Sequence, residues 1–141
     1  FNYENRARYH LSAALRLLST QCVGGKTKVS QQEQIAAERM KQMLRFVEEH
    51  YAEELTVEKI AACVALSESA CLRSFRQLLG TTPIQYVKQY RVEKAAELLR
   101  STRLKTGEIG MECGFADGSY FIKTFREIKH CTPKEYRAKF C

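Results

Sequence analysis

Two sets of side chains in this sequence are spaced for chemistry on a single helical face. Ser69, Arg73 and Arg76 stand at i, i+4 and i+7, and so do Ser119, Lys123 and Arg126, at a constant offset of 50 residues. That spacing stacks each triplet along one side of a helix. A hydroxyl, a cation and an arginine presented together can donate hydrogen bonds to base edges and to phosphate oxygens. A merely solvated face needs no particular cations, so the recurrence asks for more than composition does. The other reactive residue types are not arranged for chemistry. Six cysteines (Cys22, Cys63, Cys71, Cys113, Cys131, Cys141) form no CxxC or CxH pair, so zinc and dithiol signatures are missing. Several lie in apolar stretches such as Ile60-Ala-Ala-Cys-Val64, and they read as small buried hydrophobes of a reducing cytosol. His10, His50 and His130 have no partners at catalytic spacing, and no glycine-rich phosphate loop occurs. No catalytic, cofactor-binding or metal site is expected, and no enzyme.

The chain that must position those triplets has 141 residues and a mass of 16.2 kDa, room for one domain or two small ones. At 45% hydrophobic and 28% charged it falls among globular proteins. Two prolines and seven glycines are too few for a sandwich or barrel of many short strands. The longest apolar run, Ile60 to Leu66, is seven residues, against the roughly 20 that cross a bilayer. With 23 basic and 16 acidic side chains the net charge is +7, which suits an anionic partner. The chain opens on Phe1 without a signal-peptide pattern, as expected of a segment of a longer cytoplasmic protein.

Ala7, Leu11, Ala14, Leu15, Leu18 and Cys22 have the 4–3–4 rhythm of a leading amphipathic helix. Gly24 and Gly25 break it, and a linker follows near 23–30. Ser30 and Glu33 form a capping box that opens a helix with Met40, Met43, Leu44, Val47 and Tyr51 on one face. Beyond it lies a repeat. Ile60–Leu66 matches Ile109–Phe115 at an offset of 49, while Phe75-Arg76, Thr82-Pro83 and Tyr86 match Phe125-Arg126, Thr132-Pro133 and Tyr136 at 50. Each unit reads as two short helices and a tight turn. Thr56 caps the first helix of unit one, with Leu55 and Ile60 as a hydrophobic staple. Ser67 caps its second helix and Gly80 ends it. In unit two, Lys105 or Thr106 is the first cap, Leu104 and Ile109 are the staple, Gly114 makes the turn and Asp117 caps the second helix. His130 stands where Gly80 stood. Thr82-Pro83 then starts a helix of about 18 residues and Thr132-Pro133 a short terminal one.

Two short helices whose second member carries an outward basic face describe a helix-turn-helix. The helix from Pro83 to about Arg100 would be roughly 27 Å long at 1.5 Å per residue. That is near the ~34 Å between successive major grooves on one face of B-DNA. Sequence therefore predicts an all-α, seven-helix double helix-turn-helix module with a bridging helix over 31–141, its two units at about 56–80 and 105–130, preceded by an extra N-terminal helix.

The segments Gly114–Arg126 and Thr132–Arg137, with Tyr90–Leu99 and Leu55–Ala61, resemble the signature of the AraC/XylS family of bacterial transcription regulators over about residues 38–140. That resemblance implies seven helices, binding of double-stranded DNA at promoters, activation through RNA polymerase, and fusion to an effector-sensing or dimerising domain. It implies base reading at Ser69, Leu72 and Arg73, and at Gly118, Ser119, Ile122 and Lys123, with Arg76 and Arg126 nearer the phosphates. Leu72 and Ile122 are apolar where the family commonly has polar residues, and Cys71 replaces a usual leucine. The apolar pair either contacts thymine methyls or contributes little. Residues 1–30 match nothing in the module and read as the tail of an upstream domain, or as a helix that packs on a second subunit, plus linker. The competing reading, an all-helical basic module for protein or RNA, gives no reason for a bridging helix matched to DNA pitch. The regulatory half of an alkylation-repair protein would need a zinc-binding cysteine cluster and a methyl-accepting cysteine motif, and both are missing here.

Overall fold

Helices in this chain start where a side-chain oxygen is available to take up free backbone amides. The computed structural model describes residues 30–140, and the regular elements among them are all helices. They are α1 (Gln31–His50), α2 (Val57–Ala62), α3 (Glu68–Leu79), α4 (Pro83–Ser101), α5 (Thr106–Glu112), α6 (Gly118–Lys129) and α7 (Pro133–Phe140). The leading helix expected over 7–22 lies outside the described residues.

Ser30, Thr56, Ser67 and Thr82 accept from the amides of Glu33, Lys59, Ala70 and Gln85 at 3.1, 3.1, 3.2 and 3.2 Å. Asp117 and Thr132 accept from Ser119 and Glu135 at 3.0 and 3.1 Å. Each such cap contributes about 1 kcal/mol. Lys105 opens α5 without an acceptor of its own, and the Glu108 carboxylate takes its amide instead, at 3.1 Å. Helices α3 and α6 end on left-handed residues, Gly80 at φ 68° and His130 at φ 64°, so histidine does fill the glycine's role.

Both tight turns use one hydrogen-bond pattern. In the first, Leu66 N–H donates to Ala61 O at 2.9 Å and Ala65 N–H to Ala62 O at 3.1 Å. In the second, Phe115 donates to Gly110 at 2.9 Å and Gly114 to Met111 at 3.1 Å. This paired closure is the Schellman motif, which needs a left-handed residue after the helix. Gly114 meets that need at φ 96°, whereas Ala65 meets it at φ 55° despite its Cβ.

The chain forms two packed units, one up to Glu49 plus Leu55–Tyr86, the other His50–Glu54 plus Val87 onward. In the first unit, Met40, Met43, Leu44 and Val47 of α1 are buried with Ile60, Ala61, Val64, Cys71 and Phe75. Cys71 Sγ lies 3.7 Å from Met43 Sδ, and Phe75 meets Tyr86 edge-on at 6.1 Å. In the second, Val92, Ala95, Ala96 and Leu99 of α4 bury against Ile109, Cys113 and an aromatic column. Phe115, Phe121, Phe125, Tyr136 and Phe140 follow one another at 5.0, 5.9, 5.5 and 4.6 Å. Leu55 is half-buried, while its staple counterpart Leu104 is exposed. One expectation needs correction. Cys71 and Cys113 are buried and Cys131 partly so, but Cys63 is exposed, because it caps the end of α2 and its side chain leaves the apolar face there.

Candidate nucleic-acid interface

The second helix of each unit has one dry side and one wet side. In α3, Cys71 and Phe75 are buried and Leu78 and Leu79 half-buried. In α6, Phe121 and Phe125 are buried and Ile128 half-buried. The remaining side is open. Ser69, Leu72, Arg73 and Arg76 are exposed on α3, and Gly118, Ser119, Ile122, Lys123 and Arg126 on α6. All nine residues singled out in the sequence therefore reach solvent, grouped by unit along one helix each. Arg73 is the sixth residue of α3 and Lys123 the sixth of α6. The arginines Arg76 and Arg126 come about a turn later, on the same face. Leu72 and Ile122 stand in the middle of these polar surfaces, 41% and 43% exposed.

An ion pair ties α6 to α4, and two arginines fasten neighbouring segments of the same unit. The Lys129 ammonium, 1% exposed, is paired with the Glu93 carboxylate of α4. Burial pushes the Lys129 pKa below the ordinary lysine value, and the bond to Glu93 pulls against that shift. Arg91 donates Nε to Tyr51 O and Nη2 to Glu53 O, both at 2.7 Å, and its guanidinium stands 5.9 Å from the Phe115 ring centre. Arg137 donates to Leu99 O at 3.1 Å and Thr102 O at 3.2 Å, closing the end of α4. Burial raises the Cys71 thiol to about 11 and Cys113 to about 12, so both stay protonated at neutral pH and act as buried apolar groups.

Sequence reasoning passed over Tyr120. It is 42% exposed on the outer part of α6, 6.0 Å from the Phe115 ring, with Lys88 Nζ 5.6 Å from its centre. The available signal was the repeat, which sets Tyr120 against Ala70. Lys129 was missed as a positioning residue for a similar reason, since a lysine ending an amphipathic helix ordinarily reads as solvated.

Comparison with known proteins bears on what these faces are for. A family profile described as "Helix-turn-helix domain" matches residues 60–139, and the solved transcriptional regulator of Chromobacterium violaceum, titled as AraC-type, superposes with a TM-score of 0.70. The chain belongs to the AraC/XylS family of helix-turn-helix domains. That regulator is 33% identical, and the match covers 74% of this chain and 93% of the other. A second solved structure, the DNA-binding domain of AdpA, a global transcriptional factor, in complex with a target DNA, is 29% identical with a TM-score of 0.69, covering 72% and 92%. Among curated relatives, the uncharacterized HTH-type transcriptional regulator YdeC of Bacillus subtilis (strain 168) is 39% identical over 114 residues, 81% of this chain and 39% of YdeC. The HTH-type transcriptional activator RhaS of Enterobacter sp. (strain 638) is 35% identical over 99 residues, 70% of this chain and 36% of RhaS. The chain thus spans about two fifths of the length of these curated relatives. AraC-family domains of this kind are regulatory DNA-binding modules and not a class of enzyme. Among the described residues, no helix is long and apolar enough to cross a membrane.

Proposed function

We propose that residues 31–141 are the DNA-binding domain of a sequence-specific transcription regulator acting at bacterial promoters as an activator. The carrying observation is the recurrence, on the exposed side of α3 and of α6, of a hydroxyl, an aliphatic side chain, a cation and an arginine at equivalent positions. A helix of this kind enters a major groove, where donors near its N-terminal half meet base edges. Ser69, Leu72 and Arg73 face bases in one unit, and Gly118, Ser119, Ile122 and Lys123 in the other. Arg76 and Arg126 neutralise phosphates. The chain passes from one unit into the other through the 19-residue α4, which has no glycine and no proline after its first residue. This favours both units engaging one duplex. The named activator among the relatives and the DNA-bound AdpA domain support the reading. RNA polymerase is the expected second partner, in the cytoplasm. Residues 1–30 connect to a sensing or dimerising domain through which the regulator pairs.

The deciding experiment compares Arg73→Ala with Arg76→Ala on a cognate and a scrambled duplex at two salt concentrations. Loss of a bidentate contact at Arg73 costs about 1–3 kcal/mol on the cognate site and relaxes discrimination at one base pair. Loss of Arg76 weakens both duplexes alike and lowers the slope of log K against log salt by about one. Small and equal losses everywhere would sink the groove-facing assignment of α3.

A further inference from the structure

The geometry points to Leu72 and Ile122 as paired readers of the thymine C5-methyl, one in each unit, so that the site this chain prefers carries a methyl-bearing pyrimidine under each of the two helices. This rests on the DNA-binding reading above. The surroundings of the two side chains limit what they can read. Leu72 lies one turn from Ser69 on one side and from Arg76 on the other, and is followed directly by Arg73. Ile122 has Ser119, Arg126 and Lys123 in the same places. Each is thus a branched aliphatic group inside a hydroxyl-and-cation surface, open at 41% and 43%. Neither can donate or accept a hydrogen bond, so neither can read the donor and acceptor pattern of a base. The edges of the four base pairs in the major groove offer one apolar group, the methyl on C5 of thymine. The same atom marks 5-methylcytosine. Burying one methyl against an aliphatic side chain is favourable by the transfer free energy of that group, about fourfold in affinity. Two independent contacts multiply to about fifteenfold. The same position on both helices carries this chemistry while the cation beside it changes from Arg73 to Lys123, so the apolar contact recurs in both units, as the serine one turn before it does.

The test selects tight-binding duplexes from a random pool with the whole chain, then remakes the enriched site with deoxyuridine replacing thymidine one position at a time. Uracil keeps every hydrogen-bonding group and lacks only the methyl. The expected result is one sensitive position for each unit, each weakening the unaltered protein about fourfold. Leu72→Ala should abolish sensitivity at the first position and leave the second intact, and Ile122→Ala should do the reverse. Both side chains are exposed, so neither change threatens folding, and circular dichroism checks this. Equal binding of thymidine and deoxyuridine sites overturns the inference while leaving sequence-specific binding in place. Sensitivity that persists in both alanine variants also overturns it, since another group would then feel the methyl. Failure of the pool to enrich any sequence overturns the DNA-binding reading itself, and this inference with it.

Discussion

The two helix-turn-helix units solve one backbone problem with different side chains. Their turns share the same closing hydrogen bonds to within 0.1 Å, 2.9 Å in both for the outer bond and 3.1 Å in both for the inner one. The residue that must be left-handed is Ala65 in one and Gly114 in the other. A Cβ on Gly114 would stand 2.6 Å from Tyr51 O and 2.9 Å from Arg91 Nε, so glycine there is required by space as well as by φ. The interior of the turn differs too. Gly110 lies against Phe121, where a Cβ would meet the ring at 2.7 Å, while the equivalent residues of the first unit are Ala61 and Cys71. A larger residue on one helix is matched by a smaller one on its partner. Position 129 is a buried lysine paired with Glu93, against the half-buried Leu79 at the matching place. What recurs is the hydrogen-bond frame and the wet face, and what varies is how each interior is filled.

The largest effect that could break this comparison is at the Lys129–Glu93 pair. Glu93→Ala leaves Lys129 buried without that carboxylate, and should cost about 3–5 kcal/mol in urea unfolding at neutral pH. The deficit should shrink as pH rises. Burial already holds the native Lys129 pKa below that of the unfolded chain. Between the two values the unfolded state binds the extra proton, so stability increases with pH through that window. If the second unit can be filled as the first is, Glu93→Leu with Lys129→Leu should be nearly neutral. A double variant as unstable as Glu93→Ala would show that the ion pair has no apolar equivalent there.

Next in size is Gly114→Ala. Left-handed strain of about 1–2 kcal/mol adds to a clash with the Tyr51 carbonyl, for a total loss of about 2–4 kcal/mol by thermal or urea unfolding. Gly110→Ala should cost about 1–3 kcal/mol by overpacking Phe121. That cost should be smaller in a Phe121→Cys background, which copies the first unit and removes the ring a Cβ would meet, than in the unaltered protein, a coupling measured by the double-mutant cycle. Independent losses from those two changes would refute the size exchange. The smallest effect is a gain. Ala65→Gly relieves a left-handed alanine and should stabilise by about 0.5–1 kcal/mol.

The legibility of this molecule in its sequence follows the range of the interactions. Thr56, Ser67, Gly80, Thr82, Asp117 and Thr132 act on amides or carbonyls within four residues of themselves, and all of them do what their types announce. The outward position of Ser69, Arg73, Arg76, Ser119, Lys123 and Arg126 was legible because two faces repeat at one offset, whereas Leu72, Gly118 and Ile122 were singled out only through the family resemblance. Ala65 was not, since alanine gives no sign of positive φ and only its alignment with Gly114 betrays it. Lys129 and Tyr120 were not, because their partners lie 36 and 32 residues away in the chain. Cys63 misled for the opposite reason. Its apolar neighbours continue a run that the helix itself does not.

The two guanidinium bonds of Arg91 bear on how the chain can be divided. The carbonyls they hold belong to Tyr51 and Glu53, which lie in sequence between α1 and α2, yet the segment His50–Glu54 packs with the second unit. The repeat is therefore interleaved along the chain, and no single break in the polypeptide can release both units whole. A fragment ending at Tyr86 keeps the segment but loses the arginine that holds it. A fragment starting at Val87 keeps the arginine but loses both carbonyls, and with them the backbone that crowds Gly114 into a residue without a side chain. Gene fusion or truncation within 50–90 would damage at least one half, so the module has to be moved as one piece although it reads as two.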